Sequence, residues 1–283
     1  MADETVSPQD DEPASGVEPL AEGDPRLELP AGMFVAGPEA GKIGMDVLRN
    51  GIKVVEPMSY TVHEGLAFVE GDILVGTAEQ VNAPTAKGLV RTGSQFRWPG
   101  GVLVYTVEHP SVQERVDLAI QHWTSRTPIK FKKRTNEADF VAFVSQGGCF
   151  SSVGRVGGRQ LISLGPGCNV GAAIHEIGHA LGLWHEQSRG DRDQFVTVLL
   201  DRIKPPNRHN FDKHMIDGTM VGPYDFDSIM HYPAVAFSIN GQPTIIPKAS
   251  GKQIGQRNGL SKGDRLAIKS IYPNLDWSQF PII

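Results

Sequence analysis

Eleven residues, His175-Glu176-Ile177-Gly178-His179-Ala180-Leu181-Gly182-Leu183-Trp184-His185, constrain this 283-residue chain more than any other stretch. The surrounding run, 171–186, reads as a helix. On a helix His175 and His179 are four residues apart and face the same side, so both imidazoles can reach one ion. Glu176 lies about 100° further round, beside such an ion rather than on it, where a carboxylate suits a general base. Gly182 can take positive φ and end the helix. The turn then brings His185 back as a third nitrogen ligand. Three protein nitrogens with one open position are the mark of a catalytic rather than a structural zinc site, and one Zn2+ is the expected cofactor.

The residues beyond this run carry a resemblance. His185 is followed by Glu186, Gln187-Ser188-Arg189 and Asp191-Arg192-Asp193, and further on stands Ser228-Ile229-Met230-His231-Tyr232. HExxHxxGxxHE with a downstream SIMHY resembles the astacin family of zinc endopeptidases within the metzincin clan, over residues 90–273. Trp98-Pro99, the segment Gly148-Cys149-Phe150-Ser151-Ser152-Val153-Gly154 and the run Ile254-Gly255-Gln256-Arg257 belong to the same likeness.

The resemblance implies an α+β, zincin-like fold of two lobes, with a twisted mixed sheet and two long helices before an irregular C-terminal lobe. It implies hydrolysis of internal peptide bonds, with His175, His179 and His185 on zinc and Glu176 as general base. Met230 would form a tight turn beneath the site. Tyr232 would be an additional ligand at rest and a hydrogen-bond donor to the oxyanion in the transition state. Glu186 would anchor the region around the new amino terminus after activation. Arg189, Asp191 and Asp193, by their charges alone, are expected to form structural ion pairs rather than to act in catalysis. Substrate would lie extended and antiparallel to the edge strand near Cys149 to Ser152.

In the front segment, Val69-Glu70-Gly71-Asp72-Ile73 resembles the FxGD motif of astacin pro-segments, with Val69 where Phe is usual. The likeness implies that Asp72 is a zymogen ligand that keeps the chain latent. The plain alternative is a Gly-Asp turn between two strands. Residues 82–95 have the composition of a linker, with cleavage expected at 86–90 by an activating protease or by the chain itself. The organisation expected is an acidic disordered arm at 1–32, a pro-segment at 33–88, the protease domain at 89–275 and a short tail at 276–283.

The four cysteines usual in the family are here two, Cys149 and Cys168, with Pro128 and Pro273 at the other two positions. Taken alone they read either as two buried thiols or as one bridge; the resemblance implies the bridge.

Composition sets the outer limits. Residues 1–30 hold nine Asp and Glu against one Arg, while the whole chain has a net charge of −5. So acidic and Pro-rich an opening cannot bury enough surface to offset its chain entropy. It has neither the basic start nor the apolar stretch of a signal peptide. The chain is therefore either not exported by that route or has lost a leader, and the resemblance favours an extracellular protein. No run of 18 apolar residues is present, which excludes a transmembrane helix. The charge gives no ground for a nucleic-acid partner. The expected partners are protein or peptide substrates, and the expected state is a monomer.

Short strands are expected at Phe34 and Val35, at 53–55 and at 67–69, and then at GVLVYTVE, IKFKK, DFVAFVS, SVGRV and QLISL. Helices are expected from Pro110 to Thr127 and at 261–272, the latter capped by Ser261 and stopped by Pro273. Of the six other histidines, only His231 is set apart, by its neighbours. Two rival readings are a zinc protein without catalysis and an enzyme whose first 88 residues dock a partner.

Overall fold

The computed structural model describes residues 34–49, 52–83, 90–91, 93–213 and 220–282. The acidic arm, and all of the expected cleavage stretch except Val90, lie outside the described residues.

The front segment is a meander. β1 (Glu39–Arg49) pairs antiparallel with β2 (Ile52–His63), β2 with β3 (Leu66–Val69), and β3 with β4 (Ile73–Thr77). Glu64 and Gly65, both left-handed, close the two-residue turn between β2 and β3, the geometry that matches strand twist. Thr77 caps the short α1 (Ala78–Asn82) in a reciprocal capping box with Gln80. β5 (Val90–Arg91) runs parallel to β1.

In the following part, parallel pairings join β6 (Val102–Val107), β7 (Lys130–Lys133), β8 (Phe140–Val144) and β10 (Arg159–Leu164), while β9 (Cys149–Ser151) is antiparallel to β10. α2 (Gln113–Thr124) and α3 (Val170–Leu181) are the two long helices. Beyond α3 short 3-10 turns predominate, with a two-stranded sheet of β11 (Val196–Val198) and β12 (Ile245–Pro247) and a last helix, α4 (Lys262–Ile271). Ser261 caps α4 in a second capping box, with Asp264.

Among the described residues, all strands but β11 and β12 form one ten-stranded sheet, ordered β5-β1-β2-β3-β4-β9-β10-β8-β6-β7. The front meander joins it at one parallel contact, Ile73 against Ser151. The main core lies between this sheet and α2 and α3. Every residue of α3 is buried, so that helix is clamped on all sides. Trp98 Nε1 donates to the Ala180 carbonyl at 2.8 Å, and Trp123 Nε1 to that of Ile174 at 3.1 Å. The tail packs back too: Trp277 is buried against the core, and Arg265 donates to the carbonyls of Phe280 and Pro281.

Two expected strands are absent. Phe34 and Val35 form no ladder: Val35 N–H makes a single bond to the Gly71 carbonyl, and Phe34 packs its ring on Tyr232. SVGRV is a bend, because Gly154 takes φ +71 and donates its N–H to the His179 carbonyl; the strand there is Cys149–Ser151, just before it.

Candidate metal and catalytic site

α3 presents His175 and His179 four residues apart, as the spacing predicts. Asn169 caps its start by accepting from Ala172 N–H, and Gly182 ends it in a left-handed conformation, φ +112. Leu183 N–H then closes on the Gly178 carbonyl, and the chain returns His185 to the same pocket. Beneath lies the turn at Ser228 to His231, closed by His231 N–H on the Ser228 carbonyl. Met230 of that turn sits so close to Gly178 that a Cβ there would meet its Sδ at 2.9 Å.

The fourth member comes from the front segment. The three residues between β3 and β4 are Glu70, Gly71 and Asp72, with Glu70 and Gly71 left-handed (φ 49 and 73). This tip enters the pocket. Asp72 Oδ2 lies 3.2 Å from His185 Nε2 and 3.4 Å from His175 Nε2, and its Oδ1 lies 3.7 Å from His179 Nε2. All four side chains are buried, and their ligand atoms fall within 4.8 Å of one another, a group that could hold one metal ion.

The donor set fits zinc. His175 Nδ1 is 2.9 Å from the Ile229 carbonyl and His179 Nδ1 is 2.8 Å from that of Leu183. A carbonyl can only accept, so both rings carry their proton on Nδ1 and offer the Nε2 lone pair inward. Those Nε2 atoms, with Asp72 Oδ1, are buried without a hydrogen-bond partner. Buried polar atoms left in this state are costly unless something else engages them. Glu70, Asp72 and Glu176 are buried carboxyl groups, and Arg257 is a buried cation that Asp72 and Glu176 share.

The titration of the site reflects this crowding. Burial, then the charges around them, push His175 and His179 well below the ordinary imidazole range. Burial also acts to lower His185, but Asp72 and Glu70 outweigh it and hold that ring at about 9. Burial and then Asp72 raise the Glu176 carboxyl well above the carboxylate range, and both its oxygens are buried without a hydrogen-bond partner. Tyr232 is fully buried and donates its hydroxyl to the Glu70 backbone carbonyl. Its backbone N–H is held by Gln187 Oε1 at 2.9 Å.

The structure thus gathers His175, His179, His185, Asp72, Glu176 and Tyr232 in one buried region. Glu186 is nearby and differently engaged: its Oε1 accepts from Asp225 N–H at 2.7 Å and faces Arg189 at 3.5 Å. Arg189 grips Asp191 through two hydrogen bonds, and Asp193 pairs with Lys213 and Arg192, the ion pairs expected there. His231 is a packing residue bonded to Tyr224. Two further residues enter the site. Glu70 Oε2 lies 2.6 Å from His185 Nδ1, a contact that the run VEGDI does not reveal. Arg257 is buried, and nothing in its local sequence distinguishes a buried arginine from a surface one.

The outer edge of β9, expected to receive substrate, is taken by β4 and in parallel orientation: Ser151 N–H donates to the Asp72 carbonyl at 3.0 Å. The bridge between Cys149 and Cys168 is formed, with the Cα atoms 5.8 Å apart, and ties β9 to the start of α3.

The family model described as Astacin, a peptidase family, matches residues 90–273. Astacin-like metalloprotease toxin 1 of Loxosceles intermedia is 37% identical over 221 residues, covering 74% of this chain and 82% of the toxin. Zinc metalloproteinase nas-15 of Caenorhabditis elegans is 42% identical over 183 residues, covering 62% of this chain and 32% of nas-15. The chain therefore spans about a third of that relative's length, and 41% of the related nas-13. Among solved structures, high choriolytic enzyme 1, a hatching enzyme zinc-protease from the medaka Oryzias latipes, aligns with a TM-score of 0.60 at 38% identity. That alignment covers 64% of this chain and 96% of the hatching enzyme.

Proposed function

The chain belongs to the astacin family of zinc metalloendopeptidases, and from that premise we propose that it is a latent endopeptidase whose front segment blocks its own metal site through Asp72. The observation that carries this reading is the placement of the Asp72 carboxylate against the Nε2 atoms of His175, His179 and His185 in a fully buried pocket. Zinc, when bound by those three histidines, supplies a Lewis acid that polarises the scissile carbonyl and lowers the pKa of water.

The chain's own residues do the rest. Glu176 accepts a proton from the attacking water and passes it to the leaving amine, a role that suits a carboxyl group beside the histidines rather than among them. Tyr232, released from the Glu70 carbonyl, donates its hydroxyl to the oxyanion that develops on the substrate. The vacated edge of β9 pairs with an extended substrate strand.

Latency follows from occupation. Asp72 fills the position a nucleophile needs, and β4 fills the edge a substrate needs. β4 runs parallel to β9, so its own backbone is not offered in the antiparallel sense proposed for substrate. Cutting the linker at 86–90 frees the segment, and Glu186 then receives the new α-ammonium group. We assign the protein to an extracellular setting, in keeping with its bridge; among the described residues no helix is long and apolar enough to cross a membrane.

The test is to treat the full chain with trace trypsin, sequence the new amino terminus and assay casein hydrolysis. Activity that rises with cleavage, disappears with a chelator and returns with Zn2+ is the expected result. Full casein hydrolysis by the uncut chain overturns latency, and hydrolysis indifferent to chelation overturns the zinc reading.

A further inference from the structure

The three imidazoles of the site are oriented by unequal means. His175 and His179 each donate from Nδ1 to a backbone carbonyl of the catalytic part, Ile229 and Leu183. His185 has no such carbonyl on Nδ1; its partner there is the Glu70 carboxylate, 2.6 Å away. Glu70 belongs to the front segment, 115 residues earlier in the chain. It is buried and left-handed at φ 49, a conformation that costs free energy in a non-glycine residue. The turn holds that conformation while Tyr232 binds its carbonyl and Gly71 continues the bend.

We infer that Glu70 is a positioning residue for the metal site: its carboxylate accepts from His185 Nδ1–H and fixes that ring with Nε2 directed at the metal position. The inference rests on the zinc reading of the site and goes beyond it. The front segment then does two separate things there. Asp72 fills the open position, and Glu70 completes the outer support of the third histidine. A ligating histidine whose other nitrogen faces a carboxylate is held in one tautomer and one orientation, and is a more basic ligand. When the segment departs, His185 loses this partner while His175 and His179 keep theirs. The full chain therefore holds zinc more tightly than Asp72 alone accounts for, so that metal is retained until activation.

The test uses the full chain, made metal-free with a chelator. It is titrated with Zn2+ against a competing chromophoric chelator, and with Co2+ read by visible absorption. Glu70→Leu removes the acceptor at similar size and is expected to weaken zinc binding about 10- to 100-fold, the usual effect of losing such a partner. It should also change the Co2+ absorption band, which reports ligand geometry rather than turnover. Glu70→Gln keeps an oxygen that can accept from Nδ1–H, and its affinity should fall between those of the parent and Glu70→Leu. Unfolding of the metal-free proteins separates a change in folding from a change in the site. If Glu70→Leu holds zinc within twofold of the parent with an unchanged Co2+ spectrum, the positioning role is wrong. Should Glu70→Leu fail to fold, Glu70→Gln decides: affinity several-fold below the parent supports the role, and equal affinity overturns it. A parent chain that takes up no zinc overturns the reading of the site itself, a different failure from unchanged Glu70 variants in a parent that binds.

Discussion

The Tyr232 hydroxyl donates to the backbone carbonyl of Glu70, so the turn that delivers Asp72 to the histidines also holds the phenol proposed to act on substrate. Blocking the metal position and sequestering the tyrosine are one structural event. Asp72→Ala should separate them: the metal position opens while β4 still lies on β9. The uncut variant is expected to hydrolyse a small quenched peptide measurably, at a rate below that of the cleaved parent, with one zinc still bound. Equal background rates for uncut parent and uncut variant would remove Asp72 as the cause of latency.

Glu176 lies one residue from His175 and is buried with both oxygens free of hydrogen bonds. Glu176→Gln is nearly isosteric, so the helix and its ligands should be undisturbed. The cleaved variant is expected to bind zinc like the cleaved parent and to lose peptidase activity by at least about 10²-fold, the usual worth of a general base. Metal content by atomic absorption and turnover of the same peptide check both halves. A variant with near-parental turnover would sink the assignment.

Much of this site was legible because its chemistry is local. His175, Glu176 and His179 share one helix, and Gly182 marks its end, so spacing alone places them together. Asp72 was legible only through resemblance: a Gly-Asp pair is an ordinary turn, and nothing local says that the turn enters a pocket 103 residues further on. The front ladder was the least readable part. Residues 39–49 carry three Gly or charged positions in their first four, a poor strand signal, and form β1 through pairing with β2 along its length. The merger of both parts into one ten-stranded sheet depends on a single parallel contact, Ile73 with Ser151, a long-range pairing that no periodicity encodes. SVGRV shows the reverse error: its two β-branched valines suit a strand, but Gly154 turns the chain to meet the His179 carbonyl.

The bridge between Cys149 and Cys168 closes a loop of sequence separation 19 beside the site. Constraining a loop of this length in the unfolded chain is worth about 3 kcal/mol. For a domain of this size that corresponds to roughly 6–12 °C in Tm. Changing both cysteines to serine should lower the melting temperature of the metal-free protein by about that amount. Alkylation and mass measurement without reductant should find no free thiol in the parent. Two free thiols, or an unchanged Tm, would deny the bridge its stabilising part.

His122 supplies a pH dependence remote from the metal. It lies on α2, is 5% exposed, and its Nε2 accepts from Leu260 N–H at 3.0 Å. Burial, reinforced by Arg126, lowers its pKa from 6.5 to about 3. A protonated ring could not accept that hydrogen bond, so the folded chain keeps His122 neutral. The unfolded chain takes up a proton near pH 6.5. Between that pH and about 3 the unfolded state binds more protons, so the stability due to His122 is complete above pH 6.5 and is lost as pH falls through the window. The loss approaches about 1.4 kcal/mol per pH unit where the difference is a whole proton. His122→Gln has no proton to gain, and its side-chain oxygen can still accept from Leu260. Urea unfolding of the metal-free parent and variant at pH 7 and pH 4.5 is the check. The parent should lose more stability between the two pH values than the variant does, groups common to both cancelling in the comparison. Parallel losses would mean that His122 is protonated in the folded chain, and that the Leu260 N–H finds its acceptor elsewhere.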